Sequence, residues 1–118
     1  MSDYLQVSTV AGDRETAARL ASAAVAAKLA AGAQVYGPVT TYFWHLGQPG
    51  EGQEWHVTLK TRADRYVELE ALLLREHTWD DPEVSAIPLV SGTTAYFAWY
   101  RYPAEPRTRS STHRTGRG

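Results

Sequence analysis

Cysteine is absent from this 118-residue chain. That excludes disulfide staples, thiolate zinc clusters, a thiol nucleophile and a thiol redox switch. An excess of either charge is lacking too: twelve Lys and Arg stand against thirteen Asp and Glu, a net of −1. No global field therefore draws the chain toward nucleic acid or a membrane surface, and neither is an expected partner. No apolar run approaches the roughly 18–20 residues that a bilayer span requires. The start, Met1-Ser2-Asp3-Tyr4, has neither the basic nor the apolar part of a signal peptide, so a cytoplasmic address is expected. Catalytic signatures are missing as well. There is no Gly-x-Ser-x-Gly, no His-Glu-x-x-His and no phosphate-cradling glycine loop between a strand and a helix. A domain that binds or assembles is expected, not an enzyme and not a holder of an organic cofactor.

What is present suffices for one core. Apolar residues make up 43% and aromatics 11%, which fits a single domain of about 100–150 residues. We place that domain over residues 1–104. Residues 105–118 carry Arg107, Arg109, Arg114 and Arg117 against Glu105 and no large apolar side chain. Their net of +3 leaves −4 for the other 104 residues. Such a segment cannot bury enough surface to order itself, so a disordered basic tail is expected, available to an unidentified partner.

The pattern along the chain gives the elements. Tyr4 to Thr9 alternates as a strand. Asp13 can cap a helix running from Arg14 to Ala31, with Ala17, Leu20, Ala21, Ala24 and Val25 on one apolar stripe and Gly32 closing it. Residues 33–46 are rich in β-formers, interrupted by a bend at Gly37-Pro38. Gly47-Gln48-Pro49-Gly50-Glu51-Gly52 reads as the turn. From Glu54 to Thr61, Trp55, Val57 and Leu59 point one way while Glu54, His56, Thr58 and Lys60 point the other. A second helix, 63–77, buries Tyr66, Leu69, Leu72 and Leu73, and a strand spans Val84 to Val90. Periodicity alone leaves Thr94 to Tyr100 ambiguous.

This order predicts an α+β domain, the ferredoxin-like split βαβ sandwich. Both main helices then cover one side of an antiparallel sheet. The other side carries aromatics of the 39–46 strand beside Glu54, His56, Thr58 and Lys60. An apolar sheet face of that kind is best covered by self-association.

At this point the residues carry a resemblance. Leu29-Ala30-Ala31-Gly32-Ala33, then Tyr42-Phe43-Trp44 before a glycine-containing turn, then Glu54 with Lys60-Thr61, resemble the CutA divalent-cation tolerance proteins. His77-Thr78-Trp79-Asp80-Asp81-Pro82-Glu83-Val84 looks like that family's His-Pro-Tyr-x-x-Pro-Glu-Ile signature. Pro88, Gly92, Tyr96 and Trp99 fall at its Ile-Pro and Gly…Tyr-Leu-x-Trp positions. The match spans about residues 5–102. The resemblance implies a homotrimer, a cytoplasmic role in metal tolerance and the response to metal ions, copper binding, and a short extra C-terminal helix over 94–101. The departures are plain. Gly32 stands where the family commonly has cysteine, so a soft thiolate site for Cu(I) is missing. Thr78-Trp79 replaces Pro-Tyr, and the turn after Trp44 is one residue longer.

Several residues then carry paired readings. His77 is either an imidazole ligand for Cu(II) or another divalent cation, with Glu83 beside it, or a helix C-terminal cap. His45 and His56 share a metal if the hairpin register sets them opposite, with Cβ atoms about 4.5–5.5 Å apart; otherwise they are separate surface residues. Glu54 and Lys60 lie about 20 Å apart along one strand. They form ion pairs across subunits or line a crevice there. Tyr42, Trp44, Tyr96 and Trp99 are interface core or a stacking platform for a nucleobase. Two further functions stand beside metal tolerance. One is a small-ligand sensor like the trimeric nitrogen-regulatory PII proteins, an analogy of fold only. The other is a trimeric signalling scaffold whose tail recruits a partner.

Overall fold

The computed structural model describes residues 2–101, so the tail expected over 105–118 lies outside the described residues. The elements are strand β1 (Tyr4–Ala11), helix α1 (Arg14–Ala26), strands β2 (Gly32–His45) and β3 (Gln48–Arg62), a 3-10 turn (Ala63–Arg65), helix α2 (Tyr66–Glu76), strand β4 (Val84–Pro88) and helix α3 (Thr94–Trp99). The strands pair antiparallel in the order β2-β3-β1-β4, which is the expected ferredoxin-like sheet.

Alternation decides which side is core. Val7 lies opposite Leu59, Thr9 opposite Val57 and Ala11 opposite Trp55, and Ala33 and Val35 continue that side in β2. Helices α1 and α2 cover it with Ala17, Leu20, Ala24, Leu69 and Leu73, all at 0% exposure. Alanine brings α1 close to the sheet; leucine fills the space under α2. Asp13 caps α1 as expected, its carboxylate accepting the Thr16 N–H at 2.7 Å. The hydrogen bonds from Thr16 hold that carboxyl below the ordinary range.

Helix α1 ends earlier than Ala31. Lys28, not Gly32, takes the left-handed conformation, with φ of 64°. Its N–H bonds the Val25 carbonyl and the Leu29 N–H bonds the Ala24 carbonyl, both at 3.0 Å, the double closure that terminates many helices. Tertiary bonds claim the next residues. The Thr61 hydroxyl donates to the Leu29 carbonyl at 2.7 Å, and the Ala31 N–H to the Lys60 carbonyl at 2.8 Å. Gly32 opens β2 instead.

The hairpin turn also moves. Leu46 and Gly47, with φ of 53° and 78°, make a two-residue turn of the type that suits twisted strands, and β3 starts at Gln48. Gly50 and Gly52 are strand residues, cleared for a ring. A Cβ on Gly50 would stand 2.5 Å from the Phe43 ring, and one on Gly52 3.7 Å from it. The expected bend is present. Two residues of β2, Gly37 and Pro38, bulge out between the pairs Tyr36–His56 and Val39–Glu54. Gly37 has φ of 154° and its peptide to Pro38 is cis. Strand β4 pairs with β1 only to Pro88, not Val90, although the Leu89 N–H still reaches the Tyr4 carbonyl at 3.0 Å.

The ambiguous segment 94–100 is helical from Thr94 to Trp99, capped by the Thr93 hydroxyl, which accepts the Tyr96 N–H at 3.2 Å. Phe97 stacks on Tyr4 with centroids 4.3 Å apart. The Trp99 indole covers Gly32, where an added Cβ would meet it at 2.7 Å. Tyr4 and Gly32 are in register with Arg62 and Lys60, on the side opposite Leu59. Helix α3 therefore closes one end of the face that was expected to be wholly bare.

Candidate functional site

Beyond α3 much of the second face of the sheet stays open, although Val10 and Thr58 on it are buried. Ser8 and Val10 of β1, Tyr36 and Val39 of β2, Glu54, His56 and Thr58 of β3, and Ile87 of β4 share it by register. Its centre is polar. The His56 Nε2 lies 4.0 Å from the Glu54 Oε1, and both side chains are partly exposed. The Tyr36 ring sits 5.3 Å from the imidazole, and the Thr58 hydroxyl bonds the Tyr36 hydroxyl at 3.4 Å. The pair stands beside the bulge at Gly37-Pro38, which falls between the partners of His56 and Glu54 in β2.

Past Trp55, β3 has no partner but β2, because β1 ends at Ala11. Residues 39–54 therefore form a two-stranded arm. Isolated hairpins are marginal in water; this one bears Tyr42 at 73%, Trp44 at 76% and Leu46 at 88% exposure. Tyr42 and Trp44 lie on one side of the arm, opposite Glu51 and Pro49, while Phe43 lies on the other, above Gly50. Of the aromatics of the 39–46 strand expected on the open face, only Phe43 is there, and Tyr36 joins it from the start of β2.

The predicted ligands do not converge. His45 pairs with Gln48 at the arm tip, whereas His56 pairs with Tyr36. Eight residues of strand, roughly 26 Å, separate them, so they do not share an ion. His77 ends α2, its N–H on the Leu73 carbonyl at 3.0 Å. Its ring is engaged at both nitrogens: Nε2 with the Val10 carbonyl at 2.7 Å, Nδ1 with the Trp79 N–H at 3.0 Å. An imidazole so bonded has no lone pair to spare. Glu83 is exposed and uses its backbone carbonyl, which accepts the Thr9 hydroxyl at 2.7 Å. Among the described residues no three His, Asp or Glu side chains are gathered for a metal ion.

Glu54 faces His56, not Lys60, which lies toward the α3 end of the sheet opposite Gln6 and Gly32. The aromatics divide in the same way. Tyr42 and Trp44 ride the arm, while Trp99 stacks on Tyr96 at 5.7 Å on α3; they make no common platform. What sequence reasoning missed is the His56–Glu54 pair itself. The spacing i, i+2 on an alternating strand was its signal, since such residues share a face.

The chain resembles known proteins over most of its length. Residues 5–102 match the family model described as CutA1 divalent ion tolerance protein. The divalent-cation tolerance protein CutA of Escherichia coli is 33% identical over 90 residues, covering 75% of this chain and 80% of its own length. That of Archaeoglobus fulgidus is 28% identical over 85 residues, covering 72% and 82%. Among solved structures, CutA1 from Shewanella sp. SIB1 superposes with a TM-score of 0.81 at 28% identity, over 85% of this chain and 94% of its own. CutA1 from Oryza sativa gives 0.81 at 26%, over 85% and 92%.

Proposed function

The chain belongs to the CutA1 divalent ion tolerance family, and from that premise we propose that it binds divalent cations weakly, as a cytoplasmic homotrimer without catalytic activity. The observation that carries the reading is the His56–Glu54 pair, 4.0 Å apart on the open sheet face. Imidazole and carboxylate suit Cu(II), Zn(II) and similar ions, each bonding at about 2.0–2.2 Å, so a small rotation of either side chain lets both reach one ion. Two protein ligands make a weak site. A tighter one needs donors from water or from a second copy packed on this face.

Assembly is supported separately. The arm cannot bury Tyr42 and Trp44 within its own protomer, and the open sheet face leaves Ile87 56% exposed. Apolar surface of that extent is covered in a stable protein by another chain. A copy against this face would enclose His56 and Glu54 in a crevice between subunits. No helix among the described residues is long and apolar enough to cross a membrane.

Titration calorimetry with Cu(II) and Zn(II) tests the site on wild type, His56→Ala and His77→Ala. Binding is expected in wild type and His77→Ala and lost in His56→Ala. Equal binding by His56→Ala and wild type removes the pair from the site. A rise in melting temperature with nucleotides and none with either metal would favour the small-ligand sensor instead.

A further inference from the structure

The loop from His77 to Glu83 is stitched to the end of β1. At its far end, Pro82 is buried and the Thr9 hydroxyl holds the Glu83 carbonyl at 2.7 Å. At its near end the stitch is the His77 ring, and the Trp79 indole beyond it lies over Gly12, where a Cβ would stand 3.5 Å from it. The ring's two partners dictate its proton. The Val10 carbonyl only accepts, so Nε2 carries hydrogen; the Trp79 N–H only donates, so Nδ1 must be bare. The fold thus specifies the neutral ring in one tautomer. The bond at Nδ1 is exposed, and the one at Nε2 is partly buried.

We infer that His77 is a proton-operated latch for residues 78–81. A proton taken from water at Nδ1 sets two donors against each other across the 3.0 Å contact, so the Trp79 amide is released. The Nε2–H stays on Val10, and the Thr9–Glu83 bond keeps the far end in place. Opening is therefore confined to the stretch between them, and it uncovers Gly12 beside the α1 cap. Charged groups on the surrounding elements are Arg75 and Glu76 of α2, Asp13 at the α1 cap, Arg19 of α1, and Asp80, Asp81 and Glu83 of the loop. Arg19 donates to the Glu76 carbonyl at 3.1 Å. From strand β1 the Val10 carbonyl faces the ring. Imidazole is the side chain whose charge ordinarily changes between about pH 5 and pH 8, so the test spans that range.

The test is amide hydrogen exchange by NMR on the full chain at about pH 7.5 and about pH 5, expressed as protection factors so that intrinsic rates cancel. The Trp79 amide in wild type is expected to lose about tenfold of its protection at the lower pH, the size of one lost hydrogen bond. Leu72 and Leu73 in α2 keep theirs. In His77→Asn the side-chain oxygen takes the place of Nδ1 and has no proton to gain, so protection persists at both pH values. In His77→Phe there is no acceptor, and Trp79 exchanges fast at both. Protection that does not change with pH in wild type, or a pH step that survives in His77→Asn, overturns the latch. Should His77→Phe fail to fold, the other two proteins decide the matter.

Discussion

Replacing Lys28 by glycine is expected to stabilise the protomer. Lys28 is exposed and sits at φ of 64°, the one residue that reverses the chain out of α1. A non-glycine residue in this conformation costs roughly 1–2 kcal/mol. Glycine removes that strain but loses about 0.5–1 kcal/mol more conformational freedom on folding. The lysine charge near a helix C-terminus is also worth something, so the proper reference is Lys28→Ala, which drops the charge and keeps the strain. The glycine variant should exceed the alanine variant by about 0.5–1 kcal/mol, or roughly 3–6 °C in melting temperature for a domain of this size. Urea and thermal unfolding followed by circular dichroism read the difference, at one fixed protein concentration because assembly couples to stability. The hydrogen bonds of Lys28 and Leu29 to Val25 and Ala24 are made by backbone alone and should survive in both. A glycine variant no more stable than the alanine one would refute the claim that the left-handed residue is strained.

Two other outcomes follow from the same structure. The Asp13 carboxyl is held below its ordinary value by the bonds from Thr16, so its stabilising effect is complete above the ordinary carboxylate range near pH 3.9 and is lost as pH falls through its lower, folded-state value. Wild type should therefore exceed Asp13→Ala by a constant margin near neutrality, and the gap should narrow below about pH 4; a gap that widens with acid would contradict the cap. Trp44→Asp places a charge on the exposed arm, 76% of whose Trp44 surface is open in the protomer. Its circular dichroism should match wild type while light scattering at micromolar concentration drops to the 13.1 kDa protomer mass. An unchanged oligomer mass would take that side of the arm out of the interface.

Local chemistry made much of this molecule legible beforehand. Strict alternation from Glu54 to Thr61 divides Trp55, Val57 and Leu59 from His56 and Thr58, and the sheet keeps that division. Asp13 before an alanine-rich stripe marks the start of α1, and Gly37-Pro38 marks the bulge. The turn was misplaced because glycines near a chain reversal look alike in sequence. Gly50 and Gly52 are small on account of the Phe43 ring across the strand, a contact no local window contains. The aromatic run after Thr93 resisted assignment because its rings are satisfied by Tyr4 and Gly32, far along the chain.

The sequence by itself determined the element types before Thr93, the two sides of β3 and the family, since each depends on side-chain period, capping chemistry or ordered motifs. Only the tertiary structure decided the hairpin register, and with it that Tyr36 stands beside His56 while His45 stays at the arm tip. It likewise committed both nitrogens of His77 to backbone groups of Val10 and Trp79. The reason is the same in each case: a polar side chain's role is set by which donors and acceptors the fold brings close to it, and the pairing and packing of segments, not residue type, choose them.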